Sequence, residues 1–237
     1  MNKDQVPGTN FIIFQDEDEF KYTTDSLILS SFVKNGKKAI DLGCGNGILS
    51  LRLAQRFDEI HSVDINKKVL ENFKESLIEN KLEEKIKIVE KNIFDLKEIY
   101  ETNYFEAVVF NPPYYDYENI KFETIPAKHF FDIEKSLYIV NYLLKNSGYL
   151  YIIYPTYRLA ELIYKTNLTG LRVKHIVNIH GNLNKDPKNS IVIARKQGNF
   201  GNDFRDFYIR EGDNYTEDME RVYRNEVIFW FIFVQLP

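Results

Sequence analysis

The chain has 237 residues, 44% of them apolar, which is enough for one large α/β domain with a modest extension and too apolar for a disordered protein. With 31 Lys and Arg against 35 Asp and Glu, the net charge of −4 argues against a protein that coats nucleic acid non-specifically. The one cysteine, Cys44, excludes an intrachain disulfide framework and any multi-cysteine zinc site. Residues 1–10 lack the layout of a signal peptide, and the apolar run 227–234 is too short to span a bilayer, so a cytoplasmic setting without membrane contact is expected.

In chain order, residues 38–42 read as a strand ending in a glycine-rich turn. Residues 46–57 follow as a helix, burying Ile48, Leu49, Leu51, Leu53 and Ala54. A second strand at 60–63 and a second helix at 67–80, with Val69, Leu70, Phe73 and Leu77 at helical spacing, repeat the unit. Strands follow at 86–89 and 105–110, the latter uninterrupted and apolar as a central parallel strand should be. A helix at 133–144 runs through the stop signal Asn146-Ser147-Gly148 into a strand at 149–154. Strands at 173–179 and 190–194 are split by a turn-rich link without room for a helix and should pair antiparallel. Beyond Gly198 an appendage is expected: a strand at 204–209, a helix from about Thr216, and the apolar tail. The alternation predicts an α/β fold with a mostly parallel seven-stranded sheet, an antiparallel last strand pair and a small C-terminal extension. Three segments follow: 1–36, 37–198 and 199–237.

Residues 41–47, Asp-Leu-Gly-Cys-Gly-Asn-Gly, lie between a strand and a helix, where a glycine turn lets backbone approach a ligand. Alone the pattern also fits a nicotinamide or flavin site. Here the spacing is G-x-G-x-G, and Asp41 precedes Gly43. That carboxylate would repel a pyrophosphate and attract the ammonium of a methionine moiety, directly or through water. Asp64 ends the second strand, where a carboxylate reaches paired ribose hydroxyls; the alternative is a helix N-cap. Cys44 reads as a packing residue.

Asn111-Pro112-Pro113-Tyr114 directly follows the fourth strand, at the carboxyl edge of the sheet. An exocyclic amine conjugated to a ring is a poor nucleophile because its lone pair is delocalised. The Asn111 side-chain oxygen and the Pro112 carbonyl can each accept one of its N–H bonds, pyramidalising the nitrogen. Both bonds strengthen as positive charge grows on nitrogen during methyl transfer. Tyr114 would stack on the flat target ring. The alternative is a proline-stiffened turn with Tyr114 as packing.

These motifs resemble those of class I (Rossmann-like) S-adenosylmethionine-dependent methyltransferases of the amino-methylating type. The resemblance is closest to the bacterial tRNA1(Val) adenine-37 N6-methyltransferase family, over roughly residues 20–223. It extends to Thr24-Asp25-Ser26-Leu27-Ile28-Leu29, similar to that family's T-D-x-x-L-L entry, and to Tyr115 after the catalytic motif. It also takes in Ala127-Lys128-His129, which looks like its A-R-H-E segment with Lys128 for arginine and Phe130 for glutamate. Lys188-Asn189-Ser190, Ile209-Arg210 and Asn214-Tyr215-Thr216-Glu217 resemble its C-terminal signature. The resemblance implies S-adenosylmethionine held by Asp41, Gly43, Gly45 and Asn111, with Asp64 and the adjoining Ile65 at the ribose. Asn92 stands where the family has an aspartate; its oxygen can accept the same bond from the cofactor's adenine, and Ile93 would offer a backbone N–H. Phe20, Thr24 and Asp25, in the segment 1–36, would close the pocket. Pro113, Tyr115, Lys128 and His129 would meet the substrate, an adenine N6 in RNA of tRNA type.

Residues 165–196 hold seven Lys or Arg (165, 172, 174, 185, 188, 195 and 196) against one acidic residue, Asp186. This asymmetry suits a phosphate-facing surface that includes Lys185 and Lys188; a solvated sheet edge suits it equally. His129 has no partner spacing for a metal, and none is expected. A glutamine N5-methyltransferase of the release-factor type also uses N-P-P-Y, but carries a sizeable helical domain ahead of the cofactor loop; here about 40 residues precede Gly43. A methyltransferase acting on rRNA remains open, and one acting on DNA would need a larger recognition domain than the segment after Gly198. Intact Asn111, Pro112 and Tyr114 argue against a non-catalytic module. A monomer and a homodimer are both compatible with the sequence.

Overall fold

The computed structural model describes residues 2–15, 23–113 and 132–228. A hairpin of β1 (Asn2–Gln5) and β2 (Ile12–Gln15) precedes α1 (Thr24–Ser31). Then β3 (Gly36–Leu42), α2 (Ile48–Leu53), β4 (Phe57–Asp64), α3 (Lys67–Asn80) and β5 (Ile86–Glu90) alternate as expected. A 3-10 turn (Ile93–Glu98) leads to β6 (Phe105–Phe110), and α4 (Ile133–Leu143) to β7 (Leu144–Pro155). A second 3-10 turn (Thr156–Arg158) and α5 (Leu159–Leu168) connect to β8 (Leu171–His180) and β9 (Asn189–Lys196). The chain continues through β10 (Asp203–Tyr208), a small ladder of β11 (Arg210–Glu211) with β12 (Asn214–Tyr215), and α6 (Glu217–Tyr223).

The main sheet has the order β10-β8-β9-β7-β6-β3-β4-β5. Within it β9 runs against both its neighbours, because residues 181–188 are too few for a crossover helix. It carries eight strands, one more than the seven expected, because β10 pairs parallel with β8 instead of standing apart as an appendage. The helix expected at 46–57 is shortened to α2, since Gly47 at its N-cap is left-handed with φ 81° and residues 54–56 turn before β4 begins. The stop signal at 146–148 falls inside β7 instead of ahead of it. There Ser147 takes φ 65°, and pairing with β6 shifts register between Phe105 and Ala107.

Two apolar layers flank the sheet. On one face Ala39, Ile60, Val109, Ile153, Val177 and Ile191 pack against residues of α1, α2, α3 and α6, including Leu29, Leu51, Phe73 and Val222. On the other, Ile40, Val63, Val108, Ile152 and Val192 meet Leu96 of the 3-10 turn, Leu137 and Val140 of α4, and Leu162 of α5. α1 lacks an amphipathic period because it is buried from Ser26 through Ser31.

Two arginines of the α2 region tie distant parts of the chain to this first layer. Arg52, fully buried, donates to the Pro7 carbonyl (2.6 Å), to Ser30 Oγ (2.6 Å) and to the Val222 carbonyl (2.6 Å). Arg56 donates to the Ser30 and Val33 carbonyls and to both oxygens of Asn225. Burial lowers the Arg56 guanidinium to about 10, so it stays charged at neutral pH. Among the described residues no helix is long and apolar enough to cross a membrane.

Candidate active site

Three loops leave the sheet at one level. Leu42 of β3 is in register with Val63 of β4 and with Phe110 of β6. The following residues, Gly43, Asp64 and Asn111, therefore emerge side by side at the carboxyl edge, where open α/β sheets bind ligands. Val63 is likewise in register with Val89 of β5, which brings Asn92 to the same edge.

In the glycine loop Gly43, Gly45 and Gly47 have φ of 66°, 52° and 81°, values open to glycine with little strain. Their surroundings differ. A Cβ added at Gly43 or Gly45 would meet nothing within 4 Å, whereas one at Gly47 would lie 2.1 Å from the Phe73 ring. The first two glycines thus border open space, and the third serves packing. The buried Asn46 donates to Gln15 Oε1 (2.8 Å), fastening the loop to the end of β2. Cys44 is buried; burial, with Asp41 and Asp64 nearby, pushes its thiol well above the ordinary range, which disfavours the thiolate form a nucleophile needs.

Asp41 is 1% exposed. Its Oδ2 accepts from Ser50 Oγ (2.7 Å), which also lies 2.7 Å from Ser62 Oγ, while Oδ1 is buried with no hydrogen-bond partner. Burial pushes this carboxyl up to about 7; the Ser50 bonds oppose the rise and Asp64 adds to it. Asp64 Oδ2 accepts from the Gly45 N–H and Oδ1 from the Asn66 N–H, both at 2.9 Å. The N-cap of α3 is Asn66, which accepts from the Lys68 N–H, so the cap alternative for Asp64 fails. Asp64 instead clamps the glycine loop to the end of β4. Ile65 beside it is 52% exposed, an apolar surface at the mouth.

Asn92 is exposed, and its oxygen accepts from the Phe94 N–H (3.0 Å), capping the 3-10 turn. A bond to a cofactor adenine there would share an oxygen already engaged. Ile93 packs half-buried on the second core. Thr24 is exposed on the first turn of α1, and Asp25 Oδ2 accepts from Asn189 Nδ2 (2.8 Å) at the start of β9. Burial raises the Asp25 carboxyl, and the Asn189 bond lowers it in part.

Asn111 is half-buried, and its Nδ2 donates to Ser26 Oγ on α1 at 3.0 Å. Pro112 is buried and Pro113 exposed. Phe20, Tyr114, Tyr115, Lys128 and His129 lie outside the described residues. The sequence reading missed Gln15, Ser26, Ser50, Ser62 and Asn189. Ser26 and Asn189 stood inside segments already noted; Ser50 and Ser62 give no signal, because only the seating of α2 beside β3 and the β3–β4 register bring them to Asp41.

The seven basic residues of 165–196 do not share one surface. Lys185 and Lys188 are exposed on the β8–β9 loop at the same edge as Asn111, with the Lys185 carbonyl 2.7 Å from His180 Nδ1. Arg172 and Arg195 face each other in register at the opposite edge. Lys165 pairs with Glu161, and Lys196 donates to Asn103 Oδ1 and to the Asn141 and Leu144 carbonyls. Among the described residues no group of three or more His, Cys, Asp or Glu could hold a metal.

Known proteins resemble this chain over most of its length. The tRNA1(Val) (adenine(37)-N6)-methyltransferase of Cytophaga hutchinsonii is 25% identical over 224 residues, 90% of this chain and 93% of that protein. Its namesake from Tolumonas auensis is 24% identical, covering 86% and 88%. A crystal structure described as a predicted O-methyltransferase from Agrobacterium tumefaciens superposes with TM-score 0.70 at 18% identity, over 86% of this chain and 97% of that one. That similarity establishes the fold. The family model described as "Methyltransferase domain" matches residues 33–204, and the chain belongs to that family.

Proposed function

We propose that the protein transfers a methyl group from S-adenosylmethionine to the exocyclic N6 of an adenine in tRNA. The observation that carries this reading is the common row Leu42, Val63, Phe110, which delivers a glycine cradle, a ribose-type carboxylate and Asn111-Pro112 to one edge. The residues fit the cofactor. The open faces of Gly43 and Gly45 leave room for it, and the unpartnered Oδ1 of Asp41 suits its ammonium, directly or through water. Asp64 lies beside the loop for ribose hydroxyls. When bound, S-adenosylmethionine supplies an electrophilic methyl on a sulfonium, which leaves as a neutral thioether.

The chain's own task is to make a planar amine nucleophilic. Asn111 Oδ1 and the Pro112 carbonyl accept the two N–H bonds, so the lone pair is freed from the ring and aimed at the methyl. As the N–C bond forms, both acceptors stabilise the growing positive charge, and the acidic product ammonium gives its proton to water. The names of the relatives support adenine in tRNA as the target, and a tRNA substrate implies a cytoplasmic setting. Phe20, Thr24 and Asp25 are assigned to closing the pocket, and Pro113, Tyr114, Tyr115, Lys128 and His129 to the substrate.

Incubation with labelled cofactor and separate pools of tRNA, DNA and protein, followed by nucleoside mass spectrometry, tests the reading. Label in N6-methyladenosine of tRNA is expected; label in protein glutamine or in DNA overturns it. Asn111→Ala should keep cofactor affinity while turnover falls by roughly 10²–10³, the cost of one transition-state hydrogen bond. Unchanged turnover would remove Asn111 from the mechanism.

A further inference from the structure

The end of the sheet opposite Asn111 gathers positive charge around one aromatic ring. Tyr149 of β7 pairs in register with Arg195 of β9, and Arg195 with Arg172 of β8, so the three side chains stand in a row on one face. The Arg195 guanidinium lies 5.7 Å from the centroid of the Tyr149 ring, and Lys34 Nζ, just beyond α1, lies 5.6 Å from it. Arg172 stacks at 4.6 Å on Phe200, which is 78% exposed. The carboxylates alongside are already matched: Asp203 with His175 Nδ1 at 2.7 Å, and Glu106 with Lys145 Nζ at 3.2 Å and the Lys37 N–H at 2.6 Å. Among the described residues no carboxylate forms an ion pair with Arg172 or Arg195. Arg195 is half-buried, and its Nε is buried with no hydrogen-bond partner. The crowding of charge reaches Lys34, whose ammonium is lowered by burial and further by Arg195. Lys34, Lys145, Tyr149 and Tyr151 also line a cleft of about 410 Å³ at this end of the sheet. A guanidinium placed this way is best satisfied by an anion with paired oxygens.

We propose that Arg195, with Lys34 and Arg172 beside it, holds a backbone phosphate of the RNA substrate at the amino end of the sheet, away from the reacting adenine. This rests on the tRNA reading above. Along β9, the path from Asn189 at the active edge to Arg195 is about 20 Å at roughly 3.3 Å per residue. A phosphate bound there belongs to a nucleotide other than the target, so the contact sets affinity and orientation and leaves the chemical step alone. The Arg195 fork fits two phosphate oxygens, Lys34 adds a point charge, and the Tyr149 face steadies the guanidinium.

The test is binding of bulk tRNA to the full chain by filter retention across a series of KCl concentrations. Arg195→Gln is expected to weaken binding about tenfold, the loss of a hydrogen-bonded charge contact. The slope of log affinity against log salt should become shallower by roughly 0.7–0.9, the share of one phosphate. Affinity for S-adenosylhomocysteine by calorimetry and kcat at saturating tRNA should not change. Arg195→Lys should keep the slope and recover only part of the affinity, since an ammonium cannot grip two oxygens. Lys34→Gln should also make the slope shallower, and it carries the comparison should Arg195→Gln fail to fold. An unchanged slope in both glutamine variants overturns the proposal. So does binding of ATP or inorganic phosphate that Arg195→Gln abolishes and bulk tRNA does not displace, which would make this a site for a free phosphate compound. If the wild-type chain neither methylates nor binds tRNA, the functional reading fails and this one with it; if it does both and the slopes are unaltered, only the present inference fails.

Discussion

In the proposed site, one buried carboxylate, Asp41, would link cofactor binding to pH. In the free protein its carboxyl lies near 7, above the ordinary value of 3.8, because burial penalises the charge and Oδ1 has no partner. Between about pH 4 and pH 7 the folded chain holds a proton that the unfolded chain has released. The stability this proton confers is fully present below about pH 4 and lost as pH rises through 7. A cationic ligand reverses the balance by favouring the ionised form. Calorimetry from pH 5.5 to 9 should find affinity for S-adenosylmethionine rising toward pH 7 by up to about tenfold per unit. It should fall again as the ligand's own α-amino group deprotonates near pH 8. In Asp41→Asn the lower limb should disappear; its persistence would place the ammonium elsewhere. Asp41, Asp64 and Asn111 stood out in the sequence because each lies at or within one residue of the carboxyl end of an apolar strand. Ser50 did not, since a serine inside a helix carries no mark of the strand it will face.

Among the elements, the glycine loop separates two roles that one motif hides. Gly43 and Gly47 both have positive φ, so alanine strains either by about 1–2 kcal/mol. Only at Gly47 does the new methyl strike a buried ring, Phe73. Gly47→Ala should therefore cost about 2–4 kcal/mol in urea unfolding. Gly43→Ala should fold but bind cofactor weakly, because its methyl enters the open cradle. Equal stability losses would contradict this division. The strands around the loop could be read from apolar runs, and α3 from its period. α1 could not, because its apolar residues Leu27, Ile28 and Leu29 stand in one short run between polar residues while Ser26 through Ser31 are all buried; β10 was legible as a strand, but its parallel pairing with β8 was not. Lys185 and Lys188 gain meaning from the β8–β9 loop that puts them at the active edge. Reversing both charges should raise KM for tRNA and reduce the salt slope by roughly 0.7–0.9 for each phosphate no longer neutralised. An unaltered slope would make them solvated loop residues.

At the scale of the whole molecule, the buried arginines decide whether the chain behaves as one unit. Arg52→Met keeps most of the volume but leaves the Pro7 and Val222 carbonyls without their donor, so a loss of about 2–5 kcal/mol is expected in denaturant unfolding. A neutral result would mean that water takes over both carbonyls. These hydrogen bonds span 45 residues in one direction and 170 in the other. On the ribosome, α2 emerges directly behind the glycine loop, yet the carbonyl that completes the Arg52 site arrives only with α6, 170 residues later. A nascent chain stopped before α6 holds a cation against an unfinished apolar layer. The layer behind the glycine loop, synthesised before α6, thus reaches its final form only after α6 has been made.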